Sequence, residues 1–232
     1  MRNLVGLLSL CAAVAWAPAP AAAQTGSTQS VAYEKPLRGA PARRVTGASR
    51  GIKISQAMIP AIELLAPDGH TGQTISPSPT LYYYVPAPVP VPVRFTISAD
   101  QRVAPVLEVD IPSPKAAGFY AVSLADLGVR LEPGIFYVWS VSATLNAEEP
   151  SNDIVASAAL LRTVPDATTA DTMRTASPLD RASLFARAGL WYDALAAADA
   201  AKFLDRHAAF DGLIDQAGLQ EPAAFDRRAA AH

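Results

Sequence analysis

The sequence predicts a mainly β fold, in which an antiparallel β-sandwich is followed by a small C-terminal α-helical hairpin. From about residue 58 the chain consists of short apolar runs separated by proline and glycine. This pattern is typical of all-β sandwiches. Within the run 136–143, large apolar residues alternate with smaller or polar ones, as expected for a strand with one buried face. Beyond Val164 the apolar spacing becomes helical.

The sandwich domain is predicted to cover residues 58–164. Its strands are predicted at 61–66, 79–85, 92–98, 105–111, 118–124, 135–145 and 153–162. Within the strand at 135–145, we expect Tyr137, Trp139, Val141 and Ala143 to share the core face.

Prolines occupy every second position between Pro86 and Pro92. A backbone that lacks every second N–H donor cannot form a central strand, and it favours an extended, polyproline-like conformation. We interpret this ladder as a stiff loop between two strands. Docking into a groove on a partner is the alternative.

The turn that enters the strand at 135–145 contains Pro133 and Gly134, with Tyr137 just beyond them. Proline presets such a turn, and glycine tolerates the positive φ that follows it. With Leu131, this pattern resembles the tyrosine corner of fibronectin type III and related immunoglobulin-like sandwiches. The resemblance implies that the Tyr137 hydroxyl bonds to backbone upstream and that Tyr137 and Trp139 have structural roles.

The C-terminal part is predicted to begin with a polar linker at 165–176. Ser177 and Pro178 then form an N-cap followed by proline at the first helical position. We expect a helical hairpin or three short helices within 177–218, at 178–188, 190–205 and 207–217, and a flexible tail at 219–232. The hairpin should pack on the sandwich or on another protein, since one hairpin cannot bury its own apolar face.

The first 23 residues have the features of a secretory signal peptide. Arg2 precedes the apolar run Leu4–Trp16, and Ala21–Ala23 provide a small-residue cleavage site. We therefore expect an exported protein, periplasmic or extracellular, that is not transmembrane. The single cysteine, Cys11, lies in the segment to be removed, which excludes disulfides and thiol chemistry from the mature chain.

Residues 24–57 are predicted to form a disordered basic linker, in which six lysines and arginines face Glu34 alone. Gly47, Ser49 and Gly51 match the glycine pattern of short-chain dehydrogenases and that of a hydrolase nucleophile elbow. Both motifs require a buried strand before the turn and a helix after it, and neither precedes or follows here. We predict neither a cofactor nor nucleic-acid binding for this leader.

Four residues are candidates for a ligand or partner surface. Asp68 and His70 lie in a turn-like cluster, where a hydrogen bond that stabilises the turn is favoured over a catalytic or metal site. Tyr82 and Tyr84 should point away from the core face of their strand, where they could stack on a sugar or a partner side chain. The helical hairpin covering both rings is the alternative. We predict no catalytic residue and no metal ligand.

A set of residues between about 60 and 200 matches the pattern of one protein family. They are Leu65, Ala66, Pro67, His70, Thr71, Gly72, Pro79, Thr80, Leu81, Tyr82, Tyr83, Leu131, Pro133, Gly134, Tyr137, Trp139, Ser140, Ser151, Asn152, Val155, Phe185, Ala186, Gly189, Leu190, Trp191, Tyr192, Asp193, Ala194 and Leu195. On these residues the chain resembles an uncharacterised bacterial exported family, domain of unknown function 928. The resemblance implies kinship and brings no activity with it.

The sequence therefore favours a non-enzymatic binding or scaffolding protein of the cell envelope, with an envelope protein or polysaccharide as partner. The alternative is an envelope hydrolase acting on polysaccharide or peptide. For that alternative, the only candidate catalytic residues are Asp68, His70 and scattered carboxylates.

Overall fold

The computed structural model describes residues 31–36, 45, 60–100, 102–144, 153–165, 171, 175–201 and 203–230. Within them the chain forms two β-sheets followed by four short helices. The strands are β1 (Glu63–Leu64), β2 (Gly72–Thr74), β3 (Thr80–Val85), β4 (Val93–Ala99), β5 (Leu107–Ile111), β6 (Gly118–Ser123), β7 (Phe136–Ala143) and β8 (Ile154–Arg162). The helices are α1 (Pro178–Arg187), α2 (Trp191–Asp199), α3 (Phe203–Gln216) and α4 (Gln220–Ala230).

One sheet has the strand order β1-β3-β6 and the other β2-β8-β7-β4-β5. Neighbouring strands are antiparallel except β2 and β8, which are parallel. The buried side chains of both sheets and of the helices belong to one hydrophobic core.

Each predicted strand is found in the structure. β2 was not predicted, because a three-residue strand is too short to show an alternating pattern.

The alternating pattern of β7 is confirmed. Tyr137, Trp139, Val141 and Ala143 are buried, whereas Val138 on the opposite face is 49% exposed. Trp139 lies opposite Ile97 of β4 and Ala158 of β8. Its indole is fully buried.

The proline ladder forms the loop between β3 and β4, as predicted. Val89 inside it is buried, and its backbone N–H donates to the carbonyl of Pro114 at 2.9 Å. The loop is thereby fixed to the sandwich at one of the positions that proline does not occupy.

The corner before β7 has the expected hydrogen bond. The Tyr137 hydroxyl accepts from the backbone N–H of Glu132 at 2.8 Å, and the tyrosine is 4% exposed. Gly134 adopts φ +77° and donates its N–H to the carbonyl of Arg162 at 2.8 Å. The hydroxyl is therefore an acceptor that satisfies a backbone donor of the turn.

We expect Tyr137→Phe to lower the free energy of unfolding by about 1–3 kcal/mol, because the N–H of Glu132 loses its acceptor in a partly buried turn. Urea denaturation measures the change. Tyr120→Phe is the matched control, since the Tyr120 hydroxyl also accepts from a backbone N–H, that of Ala116, and donates to the carbonyl of the same residue. Both bonds are exposed, so water can replace them and their loss should cost less. Equal stability of the Tyr137→Phe and Tyr120→Phe variants would contradict the role of the corner.

Helix α1 begins where the sequence predicts and ends one residue before the predicted end, at Arg187. The Ser177 hydroxyl accepts from the backbone N–H of Asp180 at 3.2 Å, and Pro178 is the first helical residue. Gly189, with φ +73°, separates α1 from α2. The hairpin packs on the sandwich: the indole N–H of Trp191 donates to the carbonyl of Leu65 at 2.9 Å.

Three boundaries in the C-terminal part differ from prediction. The helix expected at 190–205 ends at Asp199, and the next one begins at Phe203 rather than at 207. The flexible tail predicted at 219–232 is wrong for residues 220–230, which form α4. This helix is ordered by packing, because Ala223 is buried and Phe225 lies against Tyr84. Most of the predicted linker at 165–176 lies outside the described residues.

The disordered linker predicted for 24–57 is wrong wherever the structure describes it. Val31 is fully buried, and the N–H of Glu34 donates to the carbonyl of Ala186 at 3.0 Å. Val45 forms an antiparallel bridge with Ser157 of β8, with hydrogen bonds of 2.9 and 3.0 Å. Among the described residues of this stretch, Val31 and Tyr33 pack against the core, which average composition does not reveal. The signal peptide at 1–23 and the motif at Gly47, Ser49 and Gly51 lie outside the described residues.

Candidate functional site

A cleft of about 250 Å³ lies where the sandwich meets the helical hairpin. One side comes from the β2–β3 loop and the start of β3, and the other from α1 and α2. The lining residues are Ser76, Ser78, Pro79, Thr80, Arg181, Phe185, Tyr192, Asp193, Ala196, Ala197 and Ala200. Hydroxyls, a guanidinium and a carboxylate lie beside an apolar surface of proline, alanine and aromatic side chains, and small-ligand sites likewise combine an apolar lining with a few polar groups.

Tyr192 fixes the wall of this cleft to the sandwich. Its hydroxyl accepts from the indole N–H of Trp139 at 2.9 Å and donates to the carbonyl of Ala159 at 3.1 Å. The ring lies against Gly72, where a Cβ atom would come within 2.6 Å of the Tyr192 Cε2 atom. Glycine at the start of β2 thus allows α2 to approach the sheet closely.

Asp193 lies next to Tyr192 in α2 and ties this helix to the opposite wall of the cleft, which the β2–β3 loop forms. Its Oδ2 atom accepts from the backbone N–H of Ile75 at 2.9 Å. Burial raises the pKa of Asp193 from 3.8 to about 6, and hydrogen bonds from Ile75, Thr74 and Ser76 oppose the shift. A raised pKa means that the folded state holds this proton more tightly than the unfolded state. The contribution of Asp193 to stability is therefore greatest at acidic pH and is lost as the pH rises through about 6.

Arg181 brings a positive charge to the cleft from α1. Its Nε atom is buried and has no hydrogen-bond partner among the described residues. A buried donor without an acceptor costs about 1–3 kcal/mol, so an acceptor supplied from outside the chain would be stabilising here. Arg187, on the same helix, is exposed and does not line the cleft.

The two tyrosines predicted for an exposed surface are buried. Tyr82 is 6% and Tyr84 is 2% exposed. Tyr82 packs edge-on against Phe210 of α3, and Tyr84 lies against Phe225 of α4. The helices cover both rings, so the alternative in which the rings are covered is the correct one. Burial also raises the pKa of both phenols, which keeps them neutral.

Neither Asp68 nor His70 lines this cleft. Asp68 is exposed, whereas the Nε2 atom of His70 lies 2.8 Å from the hydroxyl of Tyr33. Burial lowers the pKa of His70, and the backbone of Asp68 opposes that shift. The partner that sequence reasoning missed is therefore Tyr33 of the leader.

A buried polar cluster joins α3 and α4. The Nδ1 atom of His207 lies 2.9 Å from Oδ2 of Asp226, and Nη1 of Arg206 lies 3.4 Å from Oδ1 of the same carboxylate. Arg206 also donates to Asp199, which accepts from the Tyr82 hydroxyl. The cluster ties β3, α2, α3 and α4 together, and neither His207 nor Asp226 lines the cleft at Arg181. We assign it a structural role.

Sequence reasoning found neither Arg181 nor Asp193 as site residues. The signal available for Asp193 was its position as the first polar residue of a helix otherwise rich in alanine and aromatic residues.

Within the described ranges, no group of three or more His, Cys, Asp or Glu side chains could hold a metal ion. None of the helices that the structure places has the length and apolar character that a membrane crossing requires.

Comparison with known proteins supports the kinship that the sequence suggests. No curated protein and no solved structure matches the chain significantly. A family model does match, over residues 45–223, which includes the sandwich, the cleft and most of the helices. The chain belongs to the family described as Domain of Unknown Function (DUF928).

Proposed function

We propose that this protein is an exported binding protein of the cell envelope and that it binds its partner in the cleft at Arg181. The observation that carries the proposal is the buried Nε donor of Arg181, which has no acceptor among the described residues. Export is supported by the signal-peptide features of residues 1–23. The hydrogen bonds of Asp193 and Tyr192 hold the cleft walls in place before any ligand arrives.

We also propose that the sandwich is of the immunoglobulin or fibronectin III type. Support comes from the strand orders β1-β3-β6 and β2-β8-β7-β4-β5, and from the hydrogen bond of Tyr137 at the corner before β7. Such sandwiches serve many unrelated functions, so the fold supports surface recognition only in general terms.

The lining of the cleft favours a polar ligand with an anionic group. Arg181 provides the positive charge, while the carboxylate of Asp193 is buried and already accepts from the N–H of Ile75. Ser76 and Thr80 provide hydroxyls, and the ring of Phe185 offers an apolar face. Acidic polysaccharide combines carboxylates, hydroxyls and a ring face that stacks on aromatic side chains. We therefore favour an acidic envelope polysaccharide over a protein as the partner.

Calorimetry with oligosaccharides tests the proposal. Protein is recovered from the envelope fraction, where its N-terminus is expected at or near Gln24 without a lipid. We expect acidic oligosaccharides to bind, neutral ones to bind weakly or not at all, and Arg181→Met to lower affinity about tenfold or more, as for loss of a charge-assisted hydrogen bond.

Arg187→Met is the matched control, since it removes the same charge from an exposed position on the same helix. Equal affinity of parent and Arg181→Met would refute binding at this cleft. A retained Met1 or an acylated Cys11 would refute the proposed processing. Appearance of new reducing ends or peptide fragments during the titration would favour the alternative, an envelope hydrolase acting on polysaccharide or peptide.

A further inference from the structure

Residues Val31–Pro36, here called the strap, lie across the helices and are held there through their main chain. The side-chain amide of Gln216 donates to the carbonyl of Val31 at 2.7 Å and accepts from the N–H of Tyr33 at 2.7 Å. The N–H of Glu34 donates to the carbonyl of Ala186 at 3.0 Å. A carbonyl and an N–H two residues apart, both facing one partner, are the groups that an extended peptide offers to a neighbouring strand.

Two side chains of the strap fill specific places. Val31 is fully buried. The ring of Tyr33 meets Trp191 edge-on, with 4.9 Å between ring centroids, and stacks on His70 at 5.7 Å. Its hydroxyl lies 2.8 Å from Nε2 of His70. The side chains of Glu34 and Lys35 are exposed, so the groove does not select the residue type at these two positions.

The groove under the strap also requires a glycine. A Cβ atom at Gly189 would lie 2.9 Å from Cγ of Pro36 and 3.2 Å from the carbonyl oxygen of Glu34. The absence of a side chain there lets the strap backbone approach the turn between α1 and α2. The φ of +73° at Gly189 gives that turn its shape.

We propose that this groove, formed by His70, Ala186, Gly189, Trp191 and Gln216, is a recognition site for extended peptides of the pattern Val-x-Tyr-x-x-Pro. The strap is its resident occupant and can be exchanged for a peptide of the same pattern from another chain. Main-chain hydrogen bonds give affinity, and the places of the valine, tyrosine and proline give specificity. A six-residue segment held by a few contacts opens at lower cost than the whole fold. The groove shares no residue with the cleft at Arg181, so this proposal does not rest on the proposed function.

The exchange is tested with the full chain, into which a specific protease site is built between residues 37 and 44. The folded protein is cut, so that the strap is held by non-covalent contacts alone. A fluorescent peptide with the sequence of residues 31–36 is then added, and its anisotropy is measured. We expect saturable binding with release of the original strap. The peptide carrying Tyr33→Ala should bind at least tenfold more weakly.

Matched variants test which side chains of the peptide and of the groove contribute to binding. A peptide with Glu34→Ala and Lys35→Ala should bind like the parent peptide, because both side chains are exposed. In the protein, Gln216→Ala should lower affinity about tenfold, because two hydrogen bonds to the strap backbone are lost, whereas Gln220→Ala, at an exposed position of α4, should not change it. A cut strap that never exchanges, a released strap that the peptide does not replace, or loss of the circular dichroism spectrum on cutting would each overturn the proposal.

Discussion

Trp139→Ala is expected to lower the free energy of unfolding by about 3–5 kcal/mol, which is the usual cost of truncating a buried tryptophan. Trp139 is fully buried at the centre of β7, between Ile97 and Ala158 of the adjacent strands. Alanine would leave a cavity that the neighbouring strands cannot close without breaking their register. The substitution also removes the indole N–H that donates to Tyr192, which loosens the wall of the cleft at Arg181.

Urea denaturation of parent and variant measures this cost. Val138→Ala is the control, since Val138 lies next to Trp139 in the same strand but is 49% exposed on the other face. Its cost should stay within about 0.5–1 kcal/mol. Trp139→Phe retains an aromatic ring but lacks the donor, so it should fall between the two. If Trp139→Ala cost no more than Val138→Ala, the assignment of the core face of β7 would be wrong.

The elements that sequence reasoning predicted well are those whose pattern is local. β7 shows its period of two within eight residues, and the corner needs only Pro133, Gly134 and Tyr137. The cap of α1 likewise rests on two adjacent residues, Ser177 and Pro178. Each of these features is determined by steric and hydrogen-bonding preferences of neighbouring residues.

The features that were missed depend on contacts between distant residues. Tyr33 meets Gly189 and Trp191 in a part of the chain more than 150 residues away. Asp193 accepts from the N–H of Ile75 across 118 residues. The composition of the leader and of the C-terminal tail favoured disorder, but a few apolar side chains find places on a surface formed by other elements. Local sequence propensity carries no information about a surface that forms only when distant elements pack together. The strap, α4 and the cleft at Arg181 therefore could not be predicted from it.

Asp226→Ala is expected to be the most destabilising change at a polar residue, with a cost of about 3–5 kcal/mol. The carboxylate is 2% exposed and lies 2.9 Å from Nδ1 of His207 and 3.4 Å from Nη1 of Arg206. Removing it takes an acceptor from both groups inside the interface between α3 and α4. Arg206 keeps its hydrogen bond to Asp199, which holds the loss within this range.

The same helices offer a control of the same chemistry on the surface. Asp215 pairs with Arg227 at 2.7 Å, with side chains that are 41% and 47% exposed. Water and salt screen that pair, so Asp215→Ala should cost about 0–1 kcal/mol and the cost should shrink further in high salt. The cost of Asp226→Ala should change little with salt, because its partners are shielded from solvent. Urea denaturation at low and high salt separates the two cases. A small, salt-sensitive cost at Asp226 would mean that α4 is not held against α3 by this carboxylate, and that the C-terminal residues are closer to the flexible tail that their sequence suggests.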